Sequence, residues 1–480
     1  MTRIFFILLS AVVIIIPPGP APRPGSNPLA RSLEHRLRLS ASPTPPLTSP
    51  HLFLPSSTTP LVTVRVVFRC GSQDDPPGKE GLAALTAAAV AGGGAQGLLQ
   101  DQINERLYPL AASFTAECRT ESTVFAGTVY RDVLTRFMPL FAVILTNPRL
   151  DPDEFARLKV EAIDRLAGSI RDGNAEQLAG RALQIGLYRG HPYGHVAAGT
   201  VAGLAAITFD DVLRFHRAHY NRESLQLGIA GDADRVAIEF VRNQLSPLPP
   251  GAYRDVPLPR PAQPRGIDVT LVESPADTMA IAFGFPLNVS PRDDDFLALA
   301  VADACLRERL HALPTTLEDS PFGNSSWHEF VAAGPARALS PDDPRRQPAF
   351  VIVQRASPPD AALALRGALR ELDRLVREGL TGPEIDAARD ALLNAARVSG
   401  RTIARQLALA MDAALLGRDD PATDLARRLP KLSASQVNAA IRRHLSAQDV
   451  RVVIVTRDAA ALPLGDLRAT VVRVGDLFAK

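Results

Sequence analysis

Nine histidines and three cysteines are the side chains best suited to metal or nucleophilic chemistry in this 480-residue chain. Catalytic zinc needs three protein donors and a fourth position open to water. No His-x-x-Glu-His or His-Glu-x-x-His arrangement occurs. His216 and His219 fall one turn apart on a predicted helix, and His191 and His195 flank Pro192-Tyr193-Gly194. Each pair offers two donors, too few for a stable site, so both read as polar surface or loop packing. Glu161 and Asp164 read as a solvated helix face. No Gly-x-Ser-x-Gly elbow supports a serine hydrolase. Gly92-Gly93-Gly94 is not followed by Gly-Lys-Ser/Thr, so it reads as a helix stop and not as a phosphate loop. Cys70, Cys118 and Cys305 are widely spaced, without Cys-x-x-Cys, and read as small buried hydrophobes; export would leave one disulfide open.

The elements that would position such groups follow from composition and period. The length allows two or more cores. Hydrophobic residues make up 46% and charged residues 22%, and the net charge of +2 is built from interspersed signs, which gives no nucleic-acid footprint. Arg3 precedes an apolar run from Ile4 to Ile16, too short to span a bilayer but suited to a signal peptide or anchor over residues 1–22. Membrane attachment is expected only if that segment stays uncleaved. Residues 23–60 read as a Pro/Ser-rich leader. Order is expected from Leu61, where Val62, Val64, Val66 and Phe68 form one face of a half-buried strand. Residues 245–264 form a Pro-rich linker.

The sequences on the two sides of this linker look like copies. Asp151-Pro152 with Glu154 opens one helix, and Thr381 with Glu384 opens another. Thr208 with Asp211 and Ser433 with Gln436 open a second pair, which leads to strands Leu225–Ala230 and Val450–Val455. The offsets stay near about 225–230 residues, too long for a solenoid unit. Residues 61–244 and 265–480 are therefore expected to be homologous α+β domains, each a mixed or antiparallel sheet packed with helices.

Together these motifs resemble the M16 (pitrilysin/insulinase) metallopeptidase family. The resemblance rests on Cys70-Gly71-Ser72 after the first strand, Gly81-Leu82-Ala83, Asn147-Pro148, the Phe155 helix, His191-Pro192-Tyr193-Gly194, Gly199-Thr200, Ile207-Thr208 and Gly231-Asp232. It implies two α/β-roll domains and an inverted zinc motif on the helix that starts at Gly81. At the family's spacing the two His positions match Ala84 and Ala88, the general base matches Ala87, and the third ligand matches Arg165. Alanine has no lone pair for a metal, and arginine stays protonated and repels one. No catalytic residue, metal ligand or cofactor is expected in this chain, although active members use zinc.

The resemblance also implies a substrate grip after Cys305, where active members supply an Arg and a Tyr. Here Phe322-Gly323-Asn324 lacks the Tyr, and Trp327-His328-Glu329-Phe330 reverses an aromatic-Glu-His-Phe pattern. Asn324, Trp327 and Arg345 are the remaining substrate-binding candidates. Ala is the best helix former, so the Ala83–Ala91 tract reads as a helix kept for packing. The leading expectation is an exported, non-catalytic chain that encloses polypeptide beside a zinc-bearing M16 sister. The alternatives are a stand-alone periplasmic peptide-binding module and an active peptidase with a displaced metal site.

Overall fold

The computed structural model describes residues 51–171, 173–276, 278–311, 345–356, 361–462, 464 and 467–479. The apolar N-terminal run, most of the leader, Asn324 and Trp327 lie outside the described residues. Each half is built on a five-stranded mixed sheet. The first contains β1 (His51–Pro55), β2 (Leu61–Phe68), β3 (Ser113–Cys118), β4 (Thr123–Tyr130) and β5 (Leu225–Gly231), in the order β1-β5-β2-β4-β3. The second contains β6 (Ile267–Glu273), β7 (Met279–Pro286), β8 (Ala349–Ala356), β9 (Val450–Thr456) and β10 (Ala469–Arg473), in the order β10-β6-β9-β7-β8.

The internal repeat is visible in this topology. β1 runs parallel to β5 as β6 runs parallel to β9, and β2 pairs antiparallel with β5 and β4 as β7 does with β9 and β8. A strand is thus present ten residues before the alternation that begins at Leu61. β1 lies within the stretch read as leader, because its five residues, preceded by Pro50 and ending in Pro55, are too few to show a period.

Helices cover the sheets: α1 (Leu82–Gly92), α2 (Gln100–Leu107), α3 (Leu134–Thr146), α4 (Pro152–Arg171), α5 (Ala175–Leu187), α6 (Val201–Ala206), α7 (Phe209–His219) and α8 (Arg235–Leu245) in the first half. The second half contains α9 (Asp294–His311), α10 (Ala361–Glu378), α11 (Gly382–Ser399), α12 (Ile403–Leu415), α13 (Pro421–Arg428), α14 (Ala434–His444) and α15 (Val474–Ala479). The expected starts hold at the atomic level. The Thr208 and Ser433 N–H groups donate to Asp211 and Gln436 at 2.8 Å each, and the Thr381 N–H donates to Glu384 at 2.8 Å. Asp151 accepts from the Asp153 and Glu154 N–H groups, whereas Glu154 turns outward to Arg157 instead of closing a capping box. Among the described residues no helix is long and apolar enough to cross a membrane.

The halves exchange helices. α5 leaves the first half and lies on β7, β8 and β9, where Leu178, Ala179 and Leu183 join Val353, Val453 and Val455 in one apolar cluster. α12 leaves the second half and lies on β1, β2 and β5, where Leu407 and Met411 join Val67, Val124 and Ala230. This overturns the half-buried reading of β2, whose residues Val62 to Phe68 are all buried. The face bearing Thr63, Arg65 and Val67 is covered by α12. Gly228 in β5 permits the approach, since a Cβ there would sit 2.2 Å from the Met411 sulfur.

Each exchanged helix carries one buried acid that meets arginine on the opposite sheet. Asp412 on α12 takes Arg65 of β2 at 3.4 Å and Arg119 at 3.0 Å, and all three side chains are less than 10% exposed. Glu176 on α5 takes Arg355 of β8. The C-terminal α15 adds a third tie, setting Val474 and Phe478 into the first core against α4 and α6.

Candidate functional site

Helix α1 occupies the position where the chemistry is expected. Gly81, at φ +104°, turns the chain into it in a conformation that favours glycine. The buried Asp75 carboxylate then serves as the cap. Its Oδ2 accepts from the Gly81 N–H and its Oδ1 from the Ala83 N–H, both at 2.7 Å. His195 Nε2 holds Oδ2 at 3.1 Å. Burial pushes the Asp75 carboxyl above the usual carboxylate range, and these hydrogen bonds oppose that shift. Lys79 in the preceding loop pairs with Asp211 of α7 at 2.6 Å. At the other end α1 stops at Gly92, followed by Gly93 and the left-handed Gly94, as expected for the glycine run.

The helix packs against α3, α4, α6, α7 and strand β3. Ala84 and Ala88 lie one turn apart on its half-buried side, and Ala87 is buried. Arg165 is exposed on α4, where its guanidinium pairs with Glu161, which also pairs with Arg157. Glu161 and Asp164 are exposed, matching the solvated face expected of them. The inward side of α4 is apolar, through Phe155, Leu166 and Ile170. Ala84, Ala88 and Arg165 offer no electron pair to a cation, so this face does not fit the zinc that the family resemblance implies. Among the described residues no three His, Cys, Asp or Glu side chains are grouped to hold a metal ion.

Thr86 is wholly buried on α1, and its hydroxyl has no hydrogen-bond partner. An unmet hydroxyl in a dry core is a cost that an isosteric methyl avoids. Thr86→Val is therefore expected to raise stability by about 1–2 kcal/mol, read as a shift of the urea midpoint at unchanged slope. An unchanged or lower midpoint would count against this account of the site.

The four candidate histidines are accounted for by packing. His216 lies against the Tyr220 ring at 5.0 Å, and burial lowers its pKa to about 4. His219 lies on Phe215 at 4.3 Å, and its pKa is lowered by burial with Asp74 opposing. His195 serves Asp75. His191 bonds the carbonyl of Pro259 at 2.9 Å and accepts from the Tyr193 N–H at 3.0 Å. Cys70 and Cys305 are buried as expected, Cys118 is only partly so, and all three are free thiols.

Arg345 does not face open space. Its guanidinium donates to Gln184 of α5 at 3.1 Å and lies 5.7 Å from the Tyr193 ring centre. The neighbouring Arg346 carries more of the contact between halves. Its N–H and Nε donate to the buried Glu121 at 2.6 and 2.7 Å, Glu121 also receives the Tyr193 hydroxyl, and Arg346 reaches Asp255 in the linker. Glu121, Asp75 and Asp412 were not visible as site residues in the sequence. The only available signal for Asp75 was an acidic residue in the polar loop just before Gly81.

Strand β3 is the remaining feature beside α1. It is an edge of the first sheet, its residues are half-buried apart from exposed Ser113, and its outer edge has no partner strand among the described residues. Such an edge offers backbone N–H and C=O groups to an added extended chain.

Two family descriptions match this chain in tandem. Residues 52–200 match "Insulinase (Peptidase family M16)", and residues 206–392 match "Peptidase M16 inactive domain". An uncharacterized zinc protease of Rickettsia bellii (strain RML369-C) is 25% identical over 177 residues, 37% of this chain and 42% of that protein. The chain spans less than half the length of the curated relatives it matches. A crystal structure of a peptidase M16 inactive domain from Pseudomonas fluorescens superposes with a TM-score of 0.70 at 20% identity, covering 85% of this chain and 96% of that one. The periplasmic protease PqqL from Escherichia coli gives 0.66 at 13% identity, covering 86% of this chain and 47% of that one. At these identities the structural likeness establishes the fold.

Proposed function

Because this chain belongs to the M16 (pitrilysin/insulinase) peptidase family, we propose that it is a non-catalytic member that holds polypeptide beside a zinc-bearing sister chain. One observation supports this most directly. Helix α1 keeps its cap, its left-handed entry and its packing, while Ala84, Ala87 and Ala88 stand at the positions that would bind and use zinc. A helix held in place after the loss of its chemistry suggests that its shape is still in use. The periplasmic PqqL likeness favours an exported protein, in keeping with the apolar N-terminal run.

The open edge of β3 favours the second reading, a stand-alone peptide-binding module. The two readings differ in what the isolated chain does. A subunit should co-purify with a neighbouring His-x-x-Glu-His chain and bind unfolded polypeptide poorly alone. A stand-alone module should bind it without help.

The mature chain, incubated with zinc and desalted, is expected to retain well under one equivalent, because a catalytic site needs about three protein ligands. One tightly held zinc per chain, with chelator-sensitive cleavage of unfolded peptide, would replace this reading with an active peptidase using another ligand set.

A further inference from the structure

The segment between the halves is tied down along its length. The Pro249 carbonyl accepts from the Arg222 N–H at 3.0 Å, the Gly251 N–H donates to Glu223 at 2.6 Å, and Tyr253 lies 5.0 Å beneath the Arg69 guanidinium. Asp255 pairs with Arg346, the Leu258 carbonyl accepts from Gln347 at 3.3 Å, and the Pro259 carbonyl bonds His191. The tie at Pro259 lands on the loop His191–His195, and Arg346, which holds Asp255, shares Glu121 with the Tyr193 hydroxyl of that loop. Two residues beyond Tyr193, the same loop presents His195 to Asp75, the cap of α1.

We propose that this loop is an acid-sensitive latch, closed by neutral His191, which ties the linker to the N-terminus of α1. The geometry requires the neutral ring. Nδ1 accepts from the Tyr193 N–H, so the ring proton sits on Nε2 and is donated to Pro259. A doubly protonated ring has no lone pair for the Tyr193 N–H, and that contact becomes donor against donor. His191 is 8% exposed, packed between the rings of Tyr188 at 5.4 Å and Tyr193 at 4.6 Å.

Burial lowers the His191 pKa from 6.5, while Pro259 and Gln347 oppose the shift. A released ring regains the ordinary value of about 6.5 and takes up protons more readily than the latched one. The latch is therefore fully stable above that value and weakens as pH falls below it. The charged groups around it are Glu121, Asp255, Arg345 and Arg346, with Asp75 at the far end of the loop. Burial raises the Glu121 pKa, so its uptake of a proton acts in the opposite sense. Burial raises the Asp75 pKa as well, so its uptake of a proton acts in the same sense as that of Glu121.

The test is hydrogen exchange of the full chain between about pH 7.5 and pH 5, corrected for intrinsic rates, with parallel digestion by a protease active across that range. In the wild type, protection of the Tyr193 amide should fall by up to about tenfold per pH unit below about 6.5, and cleavage within 246–266 should appear. His191→Gln keeps a donor for Pro259 but does not titrate, so both signals should stay flat. If that variant does not fold, His191→Asn keeps an acceptor for the Tyr193 N–H and serves the same purpose. At the same acid pH the Gly81 and Ala83 amides should be better protected in His191→Gln than in wild type. That comparison cancels the contribution of Asp75. His195→Ala should expose these two amides at neutral pH while the linker stays uncut. Constant wild-type protection of Tyr193, or a His191→Gln variant that loses it as wild type does, would overturn the latch. Equal protection of Gly81 and Ala83 in wild type and His191→Gln, or a cut linker in His195→Ala at neutral pH, would overturn the coupling to α1.

Discussion

Asp412→Asn is expected to lower the stability of the whole chain by about 3–5 kcal/mol, because it leaves buried arginine charge without its partner. Asp412 faces both Arg65 and Arg119, and only Glu117, one-third exposed, remains for Arg119 after the change. Among the described residues Arg65 is then left without an ion-pair partner. The loss should be read from urea unfolding by a probe in each half. Both should report the same lowered midpoint, because α12 belongs to one half and covers the sheet of the other. The triple variant Arg65→Met, Arg119→Met and Asp412→Leu should recover most of the loss, since replacing a buried ionic cluster by apolar side chains is often neutral. A single variant within about 1 kcal/mol of wild type would mean that water reaches this cluster and screens it.

Restoring the absent donors is expected to restore a metal site. The variant Ala84→His, Ala87→Glu, Ala88→His and Arg165→Glu should retain one zinc after desalting. At free zinc about 1,000-fold above its Kd, it should gain about 4 kcal/mol of stability. Ala84 and Ala88 already share the half-buried side of a capped helix that packs against α4, so two imidazoles one turn apart would project together. Arg165→Glu removes a repelling cation and adds an anionic ligand. Omitting that one change should weaken zinc retention sharply. If the full variant holds no more zinc than wild type, Arg165 does not mark the third-ligand position and the reading of α4 fails. If it holds zinc, the carboxylate introduced by Ala87→Glu should support chelator-sensitive cleavage of unfolded peptide.

Much of the fold was legible because its signals are local. Capping pairs such as Thr208 with Asp211 and Ser433 with Gln436 act within one turn, so they could be read directly and placed the repeat. Strands β5 and β9 appeared as apolar runs because both of their faces are buried. β1 was missed because five residues between prolines display no period, and only pairing with β5 makes them a strand. β2 was misjudged because alternation of Val with Thr and Arg normally marks a wet face. Here the covering helix comes from the other half, and burial of Arg65 depends on Asp412, 347 residues away.

The candidate site divides in the same way. The lack of donor atoms at Ala84, Ala87, Ala88 and Arg165 was readable residue by residue, because donor atoms are a property of side-chain type. The character of the His191–His195 loop was not, since a histidine's role is set by what lies opposite each ring nitrogen. Sequence alone therefore determined the family, the repeat and the helix starts. Tertiary structure decided which buried charges find partners, that the halves interlock through α5 and α12, and that the Pro-rich segment is tied to the entrance of α1. Those outcomes depend on contacts between residues far apart in the chain, whose energies exist only once both sheets and their exchanged helices are in place.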